Sequence, residues 1–184
     1  MLLCREALAD QETTRKGIAM KNILSIVLFL FMSASAYAQT VQIDRIDMVE
    51  YGIYTGTTEK TAVAPGSVSG TYNVVNNRRL AVATRSIPAK QGVRFGFQYV
   101  VVGNPTGAAI PIRQVWIYPT PGVRNPTTQQ LYPRSEVASN VTVGVPLVMT
   151  YTLDNDWEVA PGTWTFQVWY EDRKLAEQTF TLVK

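Results

Sequence analysis

The sequence predicts an all-β protein, an antiparallel β-sandwich that is Ig-like in the broad sense and is preceded by a signal peptide. Three observations predict it. Apolar residues alternate at period two, proline- and glycine-containing turns separate the alternating runs, and no stretch after residue 39 carries a helical stripe. Roughly seven to nine short strands in a single domain are typical of a β-sandwich. The Cys…Trp…Cys pattern of true immunoglobulin domains is missing.

The N-terminal region has the order of an export signal. A positive start at Met20-Lys21 precedes an apolar run at 23–32 and the small-x-small cleavage site Ala36-Tyr37-Ala38. The run is too short for a permanent membrane span, which needs about 20 residues. We therefore expect a misassigned upstream start at 1–19, a signal peptide at 20–38, and a single β-sandwich domain at 39–184, located in the periplasm or secreted.

Alternation places the strands along the chain. In the run 93–101, Phe95, Phe97 and Tyr99 share one face, so that Arg94 is expected to point to solvent from the other. The full set of expected strands is 41–54, a short one at 74–75, 80–87, 93–101, 110–118, 147–153, 163–170 and a last one around Phe180 and Leu182. A hairpin is expected at 171–174.

One long segment breaks the pattern. Residues 119–135 contain prolines and no alternation, which predicts a loop without strands. Structureless loops longer than about 12–15 residues tend to be functional or disordered. The segment is therefore a positional candidate for a binding element.

Composition excludes several kinds of chemistry. The chain has no histidine, and its single cysteine, Cys4, lies before the expected cleavage site. The mature chain therefore cannot build Cys/His zinc sites, thiol catalysis or histidine acid–base catalysis. We expect a non-catalytic protein without a cofactor.

Charge is distributed unevenly under a net charge of +3. No acidic residue lies between Lys60 and Ser135, although many basic residues do. Such a region can form a face that attracts an anionic polymer, or its charges can pair with acids on neighbouring strands. Exposed tryptophan often marks a protein or carbohydrate contact, while burial under a neighbouring strand is the alternative. The candidate binding surface comprises Arg113, Arg124, Arg134, Trp157 and Trp169.

Acidic residues cluster once, as Asp154, Asp156 and Glu158. The spacing suggests calcium, but Val159 and Thr165 occupy the places where an EF-hand needs glycine and glutamate. A looser calcium site and a solvated turn both remain open, and we expect no metal. The aromatic residues of 93–101 fit a core better than base stacking, so no nucleic-acid partner is expected.

Several short blocks together resemble one bacterial family, called domain of unknown function 3859. The most specific block is PGTWTFQVWYEDRKLAEQTF at 161–180. The others are Tyr51-Gly52, Ile87-Pro88-Ala89, Phe95-Gly96-Phe97, the stretch 116–119 and Asn125-Pro126. The resemblance would cover about residues 44–183. It implies an exported, all-β, single-domain protein and supplies no catalytic or binding residues.

The expected function is that of an exported binding module with an unknown envelope protein or glycan as partner. Protein partners are favoured because the edge strands of a sandwich can accept an added strand. One alternative is a module that holds anionic lipid or polysaccharide on a basic face. A second is a carboxylate-dependent glycoside hydrolase, which needs two carboxylates about 5–10 Å apart.

Overall fold

The computed structural model describes residues 40–184, so the expected upstream start and signal peptide lie outside the described residues. Within that range no helix is long and apolar enough to cross a membrane. The secondary structure consists of strands and one short 3₁₀ helix. The elements are β1 (Gln42–Val63), β2 (Thr71–Val82), β3 (Ser86–Pro88), β4 (Arg94–Asn104), β5 (Ala109–Ile117), β6 (Val123–Arg124), β7 (Leu131–Tyr132), β8 (Arg134–Thr142), β9 (Pro146–Thr152), the 3₁₀ helix (Asp156–Glu158), β10 (Gly162–Tyr170) and β11 (Arg173–Val183).

The strands form two sheets and one small hairpin. Sheet A has the strand order β2-β1-β4-β9, and sheet B has the order β3-β11-β10-β5-β8. Strands β6 and β7 form the separate hairpin. Neighbouring strands run antiparallel, except that β3 lies parallel to β11. The predicted all-β antiparallel sandwich is therefore confirmed.

The core lies between the sheets and is built from the alternating residues of β4 and β10. Phe95, Phe97 and Tyr99 of β4 are fully buried, as are Trp164 and Phe166 of β10. The ring centroids of Phe95 and Phe166 are 5.2 Å apart, and Phe95 meets Trp164 edge to face at 5.7 Å. Such pairs add about 0.5–1.5 kcal/mol each beyond the burial of their area. The faces predicted from alternation on these two strands are confirmed.

Strand β1 pairs with two neighbours in turn. Its first half pairs with β4 as far as Ile53, and its second half pairs with β2 from Ile53 to Val63. The second half therefore continues beyond the β4 pairing as a two-stranded ribbon with β2, closed by a turn at residues 64–70. We call residues 55–79 the arm.

Several strand boundaries expected around the arm are wrong. Strand β1 does not end at residue 54, because it continues to Val63. The expected short strand at 74–75 is the middle of β2, and the expected strand at 80–87 is divided between the end of β2 and β3. Most side chains of the arm's first strand are exposed, so this ribbon carries no alternation that a sequence reading could detect.

The expectation of a loop without strands at 119–135 is also wrong. The segment contains the β6–β7 hairpin and the first residues of β8. Two-residue strands are too short to show alternation, so proline and glycine dominate the local signal. Asn125 organises this hairpin, since its Oδ1 accepts hydrogen bonds from the N–H groups of Thr127 and Thr128. The segment is an ordered hairpin.

Candidate functional site: a polar cavity beneath the arm

The base of the arm rests on a buried arginine. Arg94 donates from Nη1 to the carbonyl oxygen of Gly56 at 3.0 Å and from Nη2 to Oγ1 of Thr58 at 3.2 Å, while its Nε donates to Oγ1 of Thr152 at 2.9 Å. Only 8% of Arg94 is exposed. The expectation that Arg94 points to solvent is therefore wrong, because the arm covers the face from which this side chain projects.

The far end of the arm reaches both sheets. Asn73 donates from Nδ2 to Oδ2 of Asp154, just after β9, at 2.7 Å. The turn of the arm reaches sheet B, where the backbone N–H of Glu136 on β8 donates to the carbonyl of Gly66 at 2.9 Å. Val68, in the same turn, is 1% exposed. The arm therefore spans from the edge of sheet A to the edge of sheet B.

A cavity of about 330 Å³ lies where the arm faces the edge strands β8 and β9. Residues of the arm, β5, β8, β9 and the 3₁₀ helix line it, among them Gln114 and Tyr151. Ligand pockets range over about 300–1,000 Å³, and this cavity lies at the lower end of that range. Its lining mixes aromatic rings with hydroxyl, amide and charged groups.

Three residues that line the cavity each have one buried polar atom without a hydrogen-bond partner. Among the described residues, four buried side-chain nitrogen or oxygen atoms are unpaired, and three of them belong to residues that line this cavity: Arg78 Nε, Trp116 Nε1 and Ser139 Oγ. Leaving such an atom unpaired costs about 1–3 kcal/mol. Unpaired buried polar groups are uncommon in folded proteins, and a functional role is one of the explanations for them. Their concentration in one cavity makes it the candidate site.

A β-bulge places Arg78 at the cavity. The β1–β2 register pairs Thr55 with Arg79 and Thr57 with Asn76, so two residues of β2 oppose the single residue Gly56. The first of the two, Asn77, has a left-handed φ of 52°, a conformation that asparagine tolerates better than most residues. A bulge re-aims the side chains beside it. Burial, together with the positive charge of Arg94, lowers the pKa of Arg78.

The acidic cluster has a structural role at the wall of the cavity. Glu158 is 2% exposed, and its carboxylate accepts hydrogen bonds from Tyr151 Oη, Asn155 N–H and Asn155 Nδ2. Burial raises the pKa of Glu158, against these hydrogen bonds. The expected solvated turn is therefore wrong for Glu158, which caps the 3₁₀ helix. Across residues 40–184, no three His, Cys, Asp or Glu side chains come close enough to hold a metal ion.

Three of the five residues of the predicted binding surface share the outer face of sheet B. Arg113 pairs with Trp169 of β10, and Arg134 lies opposite Ile117, four residues further along β5. One acid lies beside them: Arg113 Nη1 is 3.4 Å from Oε1 of Glu136, and the guanidinium carbon of Arg113 is 5.6 Å from the centre of the Trp169 ring. On this face Arg113 therefore pairs with an acid on the neighbouring strand.

The other two predicted residues lie elsewhere. Arg124 is exposed on the β6–β7 hairpin and donates to the carbonyl of Gln129 at 2.7 Å. Trp157 belongs to the 3₁₀ helix, where it is partly buried and packs against the core. The sequence prediction did not single out Arg78, Trp116 and Ser139. The one usable signal was Asn76-Asn77 interrupting an otherwise strand-like stretch, which is typical of a bulge.

Comparison with solved structures supports the fold. An immunoglobulin-like protein from Pseudomonas aeruginosa is 28% identical with a TM-score of 0.55, over 80% of this chain and 100% of that chain. A β-D-glucoside glucohydrolase from Trichoderma reesei is 17% identical with a TM-score of 0.34, over 79% of this chain and 19% of that chain, a similarity too low to bear on function. No curated protein matches the chain.

The family comparison covers almost the whole described domain. The family model described as "Domain of unknown function (DUF3859)" matches residues 42–182. This range includes both sheets, the arm and every residue that lines the cavity. It also confirms the resemblance found in the sequence. The chain belongs to the DUF3859 family and has an immunoglobulin-like β-sandwich fold.

Proposed function

We propose that the protein is an exported, non-catalytic binding module that holds an extended segment of a partner polypeptide in the cavity beneath the arm. One observation carries the proposal. The outer edges of β8 and β9 both line this cavity. An extended segment supplies backbone donors and acceptors for a strand edge and side chains for the space beside it.

The outer edge of β8 supports strand addition. Strand β8 pairs with β5 on one side only. Its Glu136 N–H points outward, since it bonds to Gly66 of the arm. In an antiparallel strand this direction repeats every second residue, so the backbone groups of Ala138 and Asn140 also point outward. Both residues line the cavity.

The outer edge of β9 also supports strand addition. The N–H of Leu153 donates to Val93, on the β4 side, at 3.0 Å. By the same alternation, Thr152, Thr150 and Val148 direct their backbone groups away from β4. All three line the cavity. A bound segment can therefore add to one of these two edges, β8 or β9, through every second N–H group.

A binding role fits the chemistry of the lining better than catalysis does. Both oxygens of the buried carboxylate of Glu158 are engaged by Tyr151 and Asn155. The chain has no histidine. Residues 39–184 also lack cysteine, so the usual nucleophile and base pairs are missing there.

Export rests on the sequence signal at 20–38 and has its own test. When the protein is produced in a bacterium with its native leader, the intact mass of the exported form should correspond to a chain that begins at Gln39. An exported form that retains residues 20–38 would contradict the cleavage site, and protein confined to the cytoplasm would contradict the envelope location.

Peptide selection tests the binding role. A random heptapeptide phage library is panned against the exported protein, and the selected peptide is resynthesised with single N-methyl groups at each position. Strand addition predicts that methylation at every second residue abolishes binding, because only alternate N–H groups reach the edge. Ala138→Pro, which removes an outward N–H, should abolish binding, and the matched Ala138→Ser variant should keep it. Failure to select any peptide, or equal sensitivity at all positions, would refute the proposal.

A further inference from the structure

We infer that the arm is an autoinhibitory element: its turn occupies the outer edge of β8 and has to leave before a partner segment can pair along the whole strand. The inference rests on the proposed function, because it concerns how the binding of that segment is regulated. Three features of the structure lead to it: the place that the turn takes on β8, the length of edge that it leaves free, and the contacts that hold it there.

The turn of the arm already bonds to β8 as an added strand would. The backbone N–H of Glu136 donates to the carbonyl of Gly66 at 2.9 Å. The two backbones are so close that a Cβ on Gly66 would lie 2.0 Å from the carbonyl oxygen of Glu136. An added strand needs the same N–H group and lies about 4.8 Å from its neighbour. The turn and a partner strand therefore exclude one another at Glu136.

The docked turn shortens the edge that a partner can use. Just outside the two ends of β8, Pro133 and Val143 bond toward the β5 side, and the register between them has no shift. The residues whose backbone groups point away from β5 are therefore Arg134, Glu136, Ala138, Asn140 and Thr142. While Gly66 occupies Glu136, the uninterrupted edge covers only residues 138–142. Release of the turn extends it to the whole of β8, residues 134–142.

A small set of contacts holds the arm in this position. Val68 of the turn is 1% exposed, and its carbonyl accepts a 2.8 Å hydrogen bond from Asn125 Nδ2. Further along the arm, Asn73 donates to Asp154 at 2.7 Å. The pairing of β1 with β2 inside the arm uses none of these contacts. The turn can therefore leave β8 while the ribbon keeps its own hydrogen bonds.

The arm also covers the cavity. Ser67, Ser69 and Thr71 line it at the turn, opposite residues of β8 and β9. The hydroxyl groups of Ser67 and Ser69 both donate to the carbonyl of Thr71, at 2.7 and 3.1 Å, so their hydrogen bonds are made inside the turn. Movement of the arm would open the cavity and free the β8 edge together. The affinity for a partner is then reduced by the fraction of molecules in which the arm is docked.

Variants that weaken the docked turn test the inference. Gly66→Ala places a Cβ against the backbone of Glu136, and Val68→Ala shortens the side chain that anchors the turn. Neither residue lines the cavity or belongs to β8. Isothermal titration calorimetry measures the binding of a peptide selected by panning to the exported protein. Both variants should bind it at least about fivefold more tightly than wild type, because less of the protein is held in the docked state.

Two matched variants control for the substitutions themselves. Gly70→Ala lies in the same turn, where a Cβ would meet no atom within 4 Å. Val63→Ala removes the same atoms as Val68→Ala, from a side chain that is 80% exposed. Both controls should bind the peptide as wild type does. Melting temperatures confirm that all four variants are folded.

Scanning with N-methyl groups shows whether the peptide takes the place of the turn. In Gly66→Ala, the peptide should gain one methyl-sensitive position, two residues beyond the last one found with wild type, because Glu136 has become available. In wild type, a saturating amount of peptide should shift the side-chain amide signals of Asn125 in ¹H–¹⁵N NMR, since its bond to Val68 is disturbed. This second measurement needs no variant.

The outcomes separate the inference from the proposed function. Unchanged or weaker binding in Gly66→Ala and Val68→Ala would overturn autoinhibition by the arm and leave peptide binding standing. An unchanged Asn125 signal at saturating peptide would do the same. If no peptide can be selected, the proposed function fails and the inference fails with it.

Discussion

The backbone N–H of Glu136 on β8 donates a 2.9 Å hydrogen bond to the carbonyl of Gly66 at the turn of the arm. This bond joins a ribbon that grows out of sheet A to the edge strand of sheet B. A second hydrogen bond, 2.8 Å from Asn125 Nδ2 to the carbonyl of Val68, fastens the same turn to the β6–β7 hairpin. These two hydrogen bonds therefore hold the turn of the arm in place.

Gly66→Ala should detach the turn of the arm. A Cβ at this position would lie 2.0 Å from the carbonyl oxygen of Glu136, which is backbone and cannot move aside alone. Overpacking of this kind costs about 1–3 kcal/mol. We expect a lower melting temperature and, more specifically, fast hydrogen exchange at the Glu136 amide.

Gly70→Ala is the control for that experiment. Gly70 lies in the same turn with φ of +74°, and a Cβ there would meet no atom within 4 Å. The variant should lose only the free energy needed to hold alanine in a left-handed conformation, about 1–2 kcal/mol. It should leave the Glu136 amide protected from hydrogen exchange. Equal protection at Glu136 in both variants would show that Gly66 does not hold the arm in place.

Arg94→Met should loosen the base of the arm. The change removes the hydrogen bonds to Gly56, Thr58 and Thr152, and a loss of about 1–3 kcal/mol of unfolding free energy is expected for the groups left unpaired. Arg79→Met, at an exposed position, should change stability by no more than about 0.5 kcal/mol. Urea unfolding measures both variants, and equal losses would contradict the role given to Arg94.

Part of this architecture could be predicted from the sequence. Strands β4, β9 and β10 are half-buried, so their alternation revealed them and their inner faces. The arm could not be predicted, because most side chains of its first strand are exposed and show no alternation. In addition, Asn77 interrupts β2 with a bulge whose sequence resembles a turn. The cavity could not be predicted, because Arg78, Trp116 and Ser139 come from three strands that only tertiary packing brings together.

Glu158→Gln should change how stability depends on pH. Burial raises the folded-state pKa of Glu158 above its ordinary value of 4.5. Between that value and the raised pKa, the folded state binds more protons than the unfolded state, so the contribution of Glu158 to stability falls as pH rises. Glutamine does not titrate, so wild type should lose stability relative to the variant as pH rises from 4 to 7.5.

Urea unfolding across that range measures the difference between the two proteins. Taking the difference removes the effect of groups with the opposite trend, such as Glu177, whose pKa is lowered by its hydrogen bond from Lys174. If wild type instead gained stability relative to the variant as pH rises, this would contradict the rise that burial causes in the pKa of Glu158.

The outer face of sheet B should bind anionic polymers weakly. Glu136 lies beside Arg113 among the basic residues, so we expect the protein to elute from heparin at low salt. Substituting serine at Arg113, Arg124 and Arg134 together should change that elution little and the melting temperature even less. Elution of wild type at high salt, lost in the triple variant, would instead favour the basic-face alternative.

The position of the bound segment is tested most directly by ¹H–¹⁵N NMR of the exported protein during titration with a peptide selected by panning. Strand addition in the cavity predicts shifts in the backbone amides of Ala138, Asn140 and Thr150. The indole signal of Trp169, on the outer face of sheet B, should stay unchanged. Shifts confined to that outer face, or no shifts at the strand edges at saturating peptide, would contradict a binding site beneath the arm.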